Sequence, residues 1–572
     1  MVGWAEQAVI YQIYVRSFAD SDGDGVGDLA GLRSRLDYLV DLGVDAIWLT
    51  PFFRSPMVDG GYDVADYRDV HPRLGTLADA DAVLREVHRR GLRVIVDVVP
   101  NHTSAQHRWF REALGARPGS AARQRYVFRP GRGPRGAEPP NNWISVFGGP
   151  AWTRLPDGEW YLHLFAPEQP DLNWQNPQVR AEFVAILRFW LDRGVDGFRV
   201  DVAHGLAKPA GLPDAVHPGE RGNRPYFDQD GVHEIYREWR AVLDAYEPRR
   251  TLVAEARLRD IARIARYVRP GEHDQAFSFE FLWAPWSASQ LRAAINRSLA
   301  AMAAVGRLPA WVIGNHDEIR VASRLAAGVA VAAASSEWSA PDPRVADAAA
   351  AAVGRRRARA MALLSLALPG SAYVYQGDEL GLPEVFDLPG EVREDPVWHR
   401  SRGAELGRDG CRVPMPWSGD RPPYGFGPAG SAPPWLPQPP SWRTLSVAAQ
   451  RRDPESVLSM YRAALRRRRT CAALRGTDLA WLPTAPEVLA FTRGATFACV
   501  VNAGPQAASL AGLDLPGPVA LASAPIERGD ILPPETAAWF GPLDDRSPEQ
   551  PGGARNGRGD RPRPGQPGSD GW

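Results

Sequence analysis

Along the chain, short apolar runs of strand length alternate with longer segments whose apolar residues recur every three or four positions. The strand-like runs are 10–15, 46–50, 94–99, 197–202, 251–255, 277–281, 311–313 and 372–375. Amphipathic segments lie between them, 29–42, 77–90, 179–193 and 232–246 among others, with Gly43, Gly91 and Gly194 where helix C-caps would fall. Eight such units predict an α/β fold, a closed parallel (β/α)8 TIM barrel, whose reactive groups belong at the C-terminal strand ends. Asp97, Asp201, Glu255 and Asp317 all fall at those ends.

Two insertions break the alternation. Residues 101–173 are rich in Gly, Pro and Trp and too long for a bare loop, which predicts an inserted subdomain after the third strand. A second excursion, 381–450, follows the eighth strand, so the catalytic barrel is expected to take 1–100 and 174–480. Short strands at 488–492 and 496–501 predict a C-terminal antiparallel β domain over 481–543. The tail 544–572 is Gly, Pro, Arg and Asp with almost nothing apolar and should be disordered.

At 572 residues the chain is too long for one core. A hydrophobic content of 44% with 23% charged residues describes an ordinary globular protein. The formal net charge of +0 gives no electrostatic reason for nucleic acid, an acidic membrane surface or a polyanion as partner, and a small neutral ligand fits better. The basic residues are almost all arginine, Lys208 apart, a coding bias to which no function attaches. Cys411, Cys471 and Cys499 are odd in number and widely spaced, which predicts free thiols in a reducing compartment. With no secretory pattern near Met1 and no apolar run of membrane length, the cytoplasm is the expected address.

The chemistry concentrates in three acid-bearing stretches, GFRVDVAH at 197–204, LVAEAR at 252–257 and IGNHDEIR at 313–320. In the first, Phe198, Val200 and Val202 alternate with Arg199 and Asp201, so a strand sends the apolar set one way and the ionic pair the other. An arginine held beside Asp201 favours its ionised, nucleophilic form. A structural ion pair would look the same, and Asn315-His316-Asp317 alone would also suit a helix cap. A further constellation, Asp20, Asp22, Asp24 and Asp28 with glycines between (DSDGDGVGD), can wrap a hard cation as the opening of an EF-hand loop does, or serve as an acidic surface turn. The twelfth position, Gly31, lacks the EF-hand's bidentate Glu.

These stretches, with DVVPNHTS at 97–104, QPDLNWQNP at 169–177, YQGDELGLPEV at 375–385, PPNNWISVFGGPAW at 139–152 and RVPMPW at 412–417, resemble glycoside hydrolase family 13, the α-amylase family. Coverage runs from about residue 9 to residue 540, and the chain is most similar to the bacterial oligosaccharide α-glucosidase and oligo-1,6-glucosidase group. The resemblance implies Asp201 as nucleophile, Glu255 as general acid and base, and Asp317 as the third carboxylate that binds and distorts the sugar. It also implies sugar contacts from Asp59 and Tyr62 of the DGGY motif and from His102, Arg199, His316 and Arg412, with Tyr62 stacking on the glucose ring. Retaining cleavage needs two carboxylates about 5 to 5.5 Å apart, one ionised and one protonated. The family places a structural Ca2+ or Mg2+ ion on Asp20, Asp22, Asp24, Val26 and Asp28, with Val26 giving its carbonyl.

The implied function is a retaining, exo-acting α-glucosidase that releases glucose from the non-reducing end of short α-glucosides. Val202 directly after the nucleophile tends to accompany α-1,6 cleavage in the group, but Ala203 and His204 continue the motif as in maltose-acting enzymes, so α-1,4 is favoured. The alternatives are an α-glucosyl transferase or isomerase working through the same intermediate, and a catalytically silent binding homologue. The chain departs from the family pattern at Arg257, where an aromatic residue is usual and where an inward cation would lower the acid's pKa, and at Gly314 and Glu318.

Overall fold

The computed structural model describes residues 3–218, 224–326 and 348–542; the expected disordered tail, 544–572, lies outside the described residues. Eight parallel strands form one sheet: β1 (Val9–Ile13), β2 (Ala46–Leu49), β3 (Arg93–Val98), β4 (Gly197–Val200), β5 (Thr251–Ala254), β6 (Gln275–Ala276), β7 (Ala310–Val312) and β8 (Ser371–Tyr375). Their spatial order is β6-β5-β4-β3-β2-β1-β8-β7, and a parallel bridge from Phe277 to Ala310 joins the two ends and closes the barrel. Each strand is followed by at least one helix; Gly43, Gly91 and Gly194 take the left-handed conformation (φ 96°, 75° and 103°) that ends three of them.

The interior is filled by Ile10, Trp48, Ile95, Val253, Phe277, Val312 and Tyr373, while alternate strand residues such as Val94, Val96, Phe198 and Val200 face the helices. This period-two split puts Asp97, Arg199 and Asp201 on the inward side.

Residues 101–173 hold a three-stranded antiparallel sheet, Phe128–Pro130, Glu159–Leu162 and Trp152–Arg154 in that spatial order. Their apolar cluster, with Trp143, Phe147, Trp152 and Phe165, is shared with Val202 and Tyr226, so the insertion packs directly on the loop after β4. At the C-terminal end a five-stranded antiparallel sheet spans Ala480–Trp481 to Thr536–Phe540. No helix among the described residues is long and apolar enough to cross a membrane.

Three expected elements differ. The run FSFEF at 277–281 has strand periodicity, yet β6 ends at Ala276 and Phe279–Leu282 is helical. Phe277, Phe279 and Phe281 are all buried, so burial on every side imitates the alternation of a strand. The segment 29–42 is two helices, Leu29–Ser34 and Leu36–Leu42, broken at Arg35. The first strand stops at Ile13, and Val15–Ser17 turns as a 3-10 helix instead of extending it.

Candidate active site

Strand register builds the centre. Asp97 on β3 and Arg199 on β4 are direct register partners. Arg199 Nη1 donates to Asp97 Oδ1 at 2.7 Å and to Asp201 Oδ1 at 2.8 Å, while Nη2 pairs with Glu255 Oε2 at 2.7 Å. One buried guanidinium thus gathers three carboxylates at the ends of three adjacent strands. Glu255 Oε2 also accepts the Val202 N–H at 3.1 Å. That bond holds Val202 at φ 45°, a left-handed conformation that a β-branched residue takes only under constraint.

A second set lines the cleft around Asp317. Asp317 Oδ1 receives Arg408 Nη1 at 3.1 Å and Arg412 Nη2 at 3.0 Å. Arg408 Nη2 reaches Asp59 Oδ1 at 2.7 Å, and Gln169 Nε2 donates to Asp59 Oδ2 at 3.0 Å. Asp59 and Tyr62 flank Gly60 and Gly61, both at positive φ (57° and 106°). A Cβ on Gly60 would come within 2.4 Å of Tyr14 Oη, so only glycine lets this turn present both side chains.

Asp59, Tyr62, His102, Asp201, Glu255 and Asp317 line a cleft holding about 520 Å3 of free space, its open mouth included. Arg199 and Arg412 stand behind that wall, bonded to Asp201 and Asp317, and His316 Nε2 lies 3.6 Å from Asp317 Oδ1. The Tyr62 ring is stacked on His316, with centroids 5.2 Å apart, and its hydroxyl donates to Asp97 Oδ2 at 2.8 Å. His102 Nε2 lies 3.0 Å from the Tyr62 carbonyl. The insertion supplies Val146, Phe147 and Phe165 to the lining, and the loop after β4 supplies Val202, His204 and Phe227.

The electrostatics divide the carboxylates. Burial raises Asp201 well above the usual carboxylate range; Arg199 pulls it down, but Glu255 and Asp97 push it up again. The expectation that Arg199 keeps Asp201 ionised therefore covers only part of the balance: three carboxylates share one cation, and a proton retained within the cluster offsets the excess charge. Burial likewise lifts Asp97 to about 6. Burial also works against the charge on Asp317, yet His316 in its protonated form and the guanidiniums of Arg408 and Arg412 outweigh it and hold that carboxyl below the usual range. Burial drives His316 well below its ordinary value and His102 to about 4, so both rings are neutral near pH 7 and the arginines carry the positive charge beside Asp317.

Three functional groups escaped the sequence. Arg408, not Arg412, pairs with Asp59, because Arg412 is turned onto the His316 carbonyl, which its Nε reaches at 2.9 Å. Gln169 bridges Asp59 and His102 from the insertion's exit. Lys208, set aside as the residue of a coding bias, is buried with Nζ 2.7 Å from Asp171 Oδ2, 2.8 Å from Asn101 Oδ1 and 2.5 Å from the Gly205 carbonyl. Its rarity was the signal. Arg257 does point inward and lines the cleft.

In the acidic loop, carboxylate oxygens of Asp20, Asp22 and Asp28 lie within 4.8 Å of one another. Asp24 is not in that group: its Oδ2 accepts from Arg73 Nε at 2.8 Å, because Arg73 offers it a full charge from the neighbouring turn. Val26 is buried, and its N–H donates to Asp24 Oδ1 at 2.8 Å. Three hard oxygen donors around one point suit Ca2+ or Mg2+.

A closed barrel whose strand ends bring carboxylates, guanidiniums and neutral histidines to one cleft has the layout of a sugar-cleaving enzyme. A family model described as the alpha-amylase catalytic domain matches residues 12–476. A probable alpha-glucosidase of Rhizobium meliloti is 39% identical over 532 residues, covering 88% of this chain and 90% of that protein. An oligo-1,6-glucosidase of Parageobacillus thermoglucosidasius is 36% identical, with 86% and 88% covered. The crystal structure of an alpha-glucosyl transfer enzyme superposes with a TM-score of 0.80 at 37% identity, covering 94% of this chain and 100% of that one. The chain belongs to the alpha-amylase family and is a glycoside hydrolase.

Proposed function

We propose that the protein is a retaining, exo-acting α-glucosidase that releases glucose from the non-reducing end of short α-glucosides, with maltose-like α-1,4 linkages preferred over α-1,6. The observation that carries this is the Asp59–Arg408 pair at 2.7 Å, whose guanidinium also reaches Asp317 at 3.1 Å; we read this charged pair as the blind end of the cleft, with room for one terminal glucose. Asp201 attacks the anomeric carbon, and Glu255 gives a proton to the departing glycosidic oxygen. Attack requires the Asp201 carboxylate, so in the reacting state the proton held by the cluster is on Glu255. Water then gives its proton to Glu255 and its oxygen to the anomeric carbon, which frees Asp201. Arg199 keeps the two groups on one cation throughout, and Asp317 with His102 hydrogen-bonds the glucose hydroxyls. The loop of Asp20, Asp22 and Asp28 would hold Ca2+ or Mg2+, an ion that there supplies structural support and no chemistry.

Transfer of glucose to a second sugar is the alternative. The apolar side chains of Phe147, Phe165 and Phe227 in the cleft lining disfavour water there and favour it, as does the likeness to a transfer enzyme. The test is purified protein on maltose, isomaltose, sucrose, trehalose and soluble starch, with glucose and new linkages followed over time and the first-formed anomer read by proton NMR. We expect maltose to be cut fastest with net retention. Internal scission of starch faster than maltose cleavage, or an inverted anomer, would overturn the proposal.

A further inference from the structure

Arg257 and Glu318, both departures from the family pattern, meet each other: Arg257 Nη2 is bonded to Glu318 Oε1. Each lies close in sequence to a candidate catalytic carboxylate, Arg257 two positions after Glu255 and Glu318 next to Asp317. Their bond therefore ties the loop after β5 to the loop after β7. The guanidinium carbon lies 5.0 Å from the Phe279 ring and 5.6 Å from the Trp283 ring, and Trp283 Nε1 donates to the same Glu318 oxygen at 3.3 Å. A carboxylate in its plane and aromatic faces beside it leave the arginine fork one orientation.

That orientation has a direction. Arg257 lines the cleft, and its Nη1 lies 3.8 Å from Glu255 Oε1. Glu255 Oε2 is taken by Arg199 and by the Val202 N–H, so Oε1 is the oxygen left to protonate the glycosidic oxygen. Arg257, beside Oε1, is therefore within reach of the group that leaves on that oxygen. An aromatic residue there would offer a face for stacking; a fixed guanidinium offers N–H donors.

Resting on the α-glucosidase reading, we propose that Arg257 is a specificity-determining residue for the leaving or accepting group, donating to a sugar hydroxyl, and that Glu318 is the positioning residue that aims it. The class of leaving group selected is a second sugar rather than an aryl or alkyl group. One charge-assisted hydrogen bond gained in this way corresponds to roughly 10- to 100-fold in kcat/KM.

The experiment compares maltose with p-nitrophenyl α-glucoside, whose leaving group carries no sugar hydroxyl. The variant is Arg257→Met with Glu318→Gln, so that no buried carboxylate is stranded; Glu318→Gln alone and Arg257→Lys accompany it, each with its melting temperature. The maltose-to-aryl ratio of kcat/KM should fall at least tenfold in the double variant, with a smaller fall in Arg257→Lys, which keeps the charge but not the fork. A parallel loss on both substrates, or an unchanged ratio, overturns the proposal. Should the double variant fail to fold, the ratio in Arg257→Lys decides in the same way. A parent protein that cuts neither substrate instead refutes the α-glucosidase reading itself.

Discussion

Asp59 Oδ1 and Arg408 Nη2 meet at 2.7 Å, and the same guanidinium reaches Asp317 at 3.1 Å and Asp395 at 2.5 Å. The pair proposed to end the cleft is thus also the support of the third carboxylate. Removing Arg408 alone would strand buried acids at a cost of about 3–5 kcal/mol, so the informative variant is Asp59→Ala with Arg408→Ala. It should lose about 100-fold or more in kcat/KM on maltose and should release maltose as well as glucose from maltotetraose, because the blind end is opened. Products are read by chromatography. Glucose as the single early product, with KM on maltose within about twofold, would show that something else ends the pocket.

Asp378 gives a pH prediction outside the catalytic set. It is 4% exposed, and burial lifts its carboxyl to about 7, against the pull of Arg320. A carboxyl whose folded pKa is raised keeps its proton in the folded state; its contribution is complete below the unfolded value near 4 and is lost as pH rises towards 7. The full shift corresponds to roughly 4 kcal/mol. Asp378→Asn carries a neutral amide at every pH. Its Tm minus that of the parent should therefore become more positive between pH 5 and pH 8, by at least about 3 °C, and level off above. A difference that stays flat across that range contradicts the assignment.

Asp201, Glu255 and Asp317 were legible because each follows a run of three to five residues with few alternatives to a buried strand, and the barrel converts strand ends into one neighbourhood. Arg199 was legible from alternation within its strand, and Asp97 from its place at a strand end. Arg408 and Gln169 were not, since they sit in irregular segments where no periodicity states which way a side chain points. The burial term on Asp201 was equally hidden: a sequence shows that Arg199 is near, but the enclosure of three acids around one cation exists only after β3, β4 and β5 are in register. The strand placed at 277–281 failed for a related reason, because alternating phenylalanines cannot report that both sides are buried.

The acidic loop predicts a stability effect without a chemical one. Asp20, Asp22 and Asp28 lie after β1, whereas Asp201 follows β4, and an ion bound by the folded chain stabilises it by linkage. Chelation by EDTA should lower Tm by several degrees while kcat on maltose, measured well below the new Tm, changes less than about twofold. Asp22→Ala should behave as the chelated protein and respond no further to EDTA. An unchanged Tm at every chelator concentration, with no metal found by elemental analysis, would make the loop an ordinary turn.

Lys208 ties two distant segments to its own loop: Asn101 after β3 and Asp171 at the exit of the insertion, with the Gly205 carbonyl of the loop that follows Asp201 as the third oxygen. Asp171 is fully buried, and its other oxygen accepts the Leu164 N–H at 2.7 Å. Lys208→Met keeps the length of the stem and removes the charge, which leaves that carboxylate uncompensated at a cost of about 3–5 kcal/mol. Lys208→Arg keeps the charge but brings a planar fork where a compact ammonium is surrounded by oxygens on three sides, so it should not restore the parent. The Tm of Lys208→Met should fall by several degrees, and Asp171→Asn added to it should recover part of the loss, since the double variant buries no charge. kcat/KM on maltose should remain reduced in both, because Asn101 adjoins His102 and the Gly205 loop carries Asp201. Loss of Tm without loss of rate would confine Lys208 to holding the insertion in place; equal rates in Lys208→Arg and the parent would show that charge alone is required.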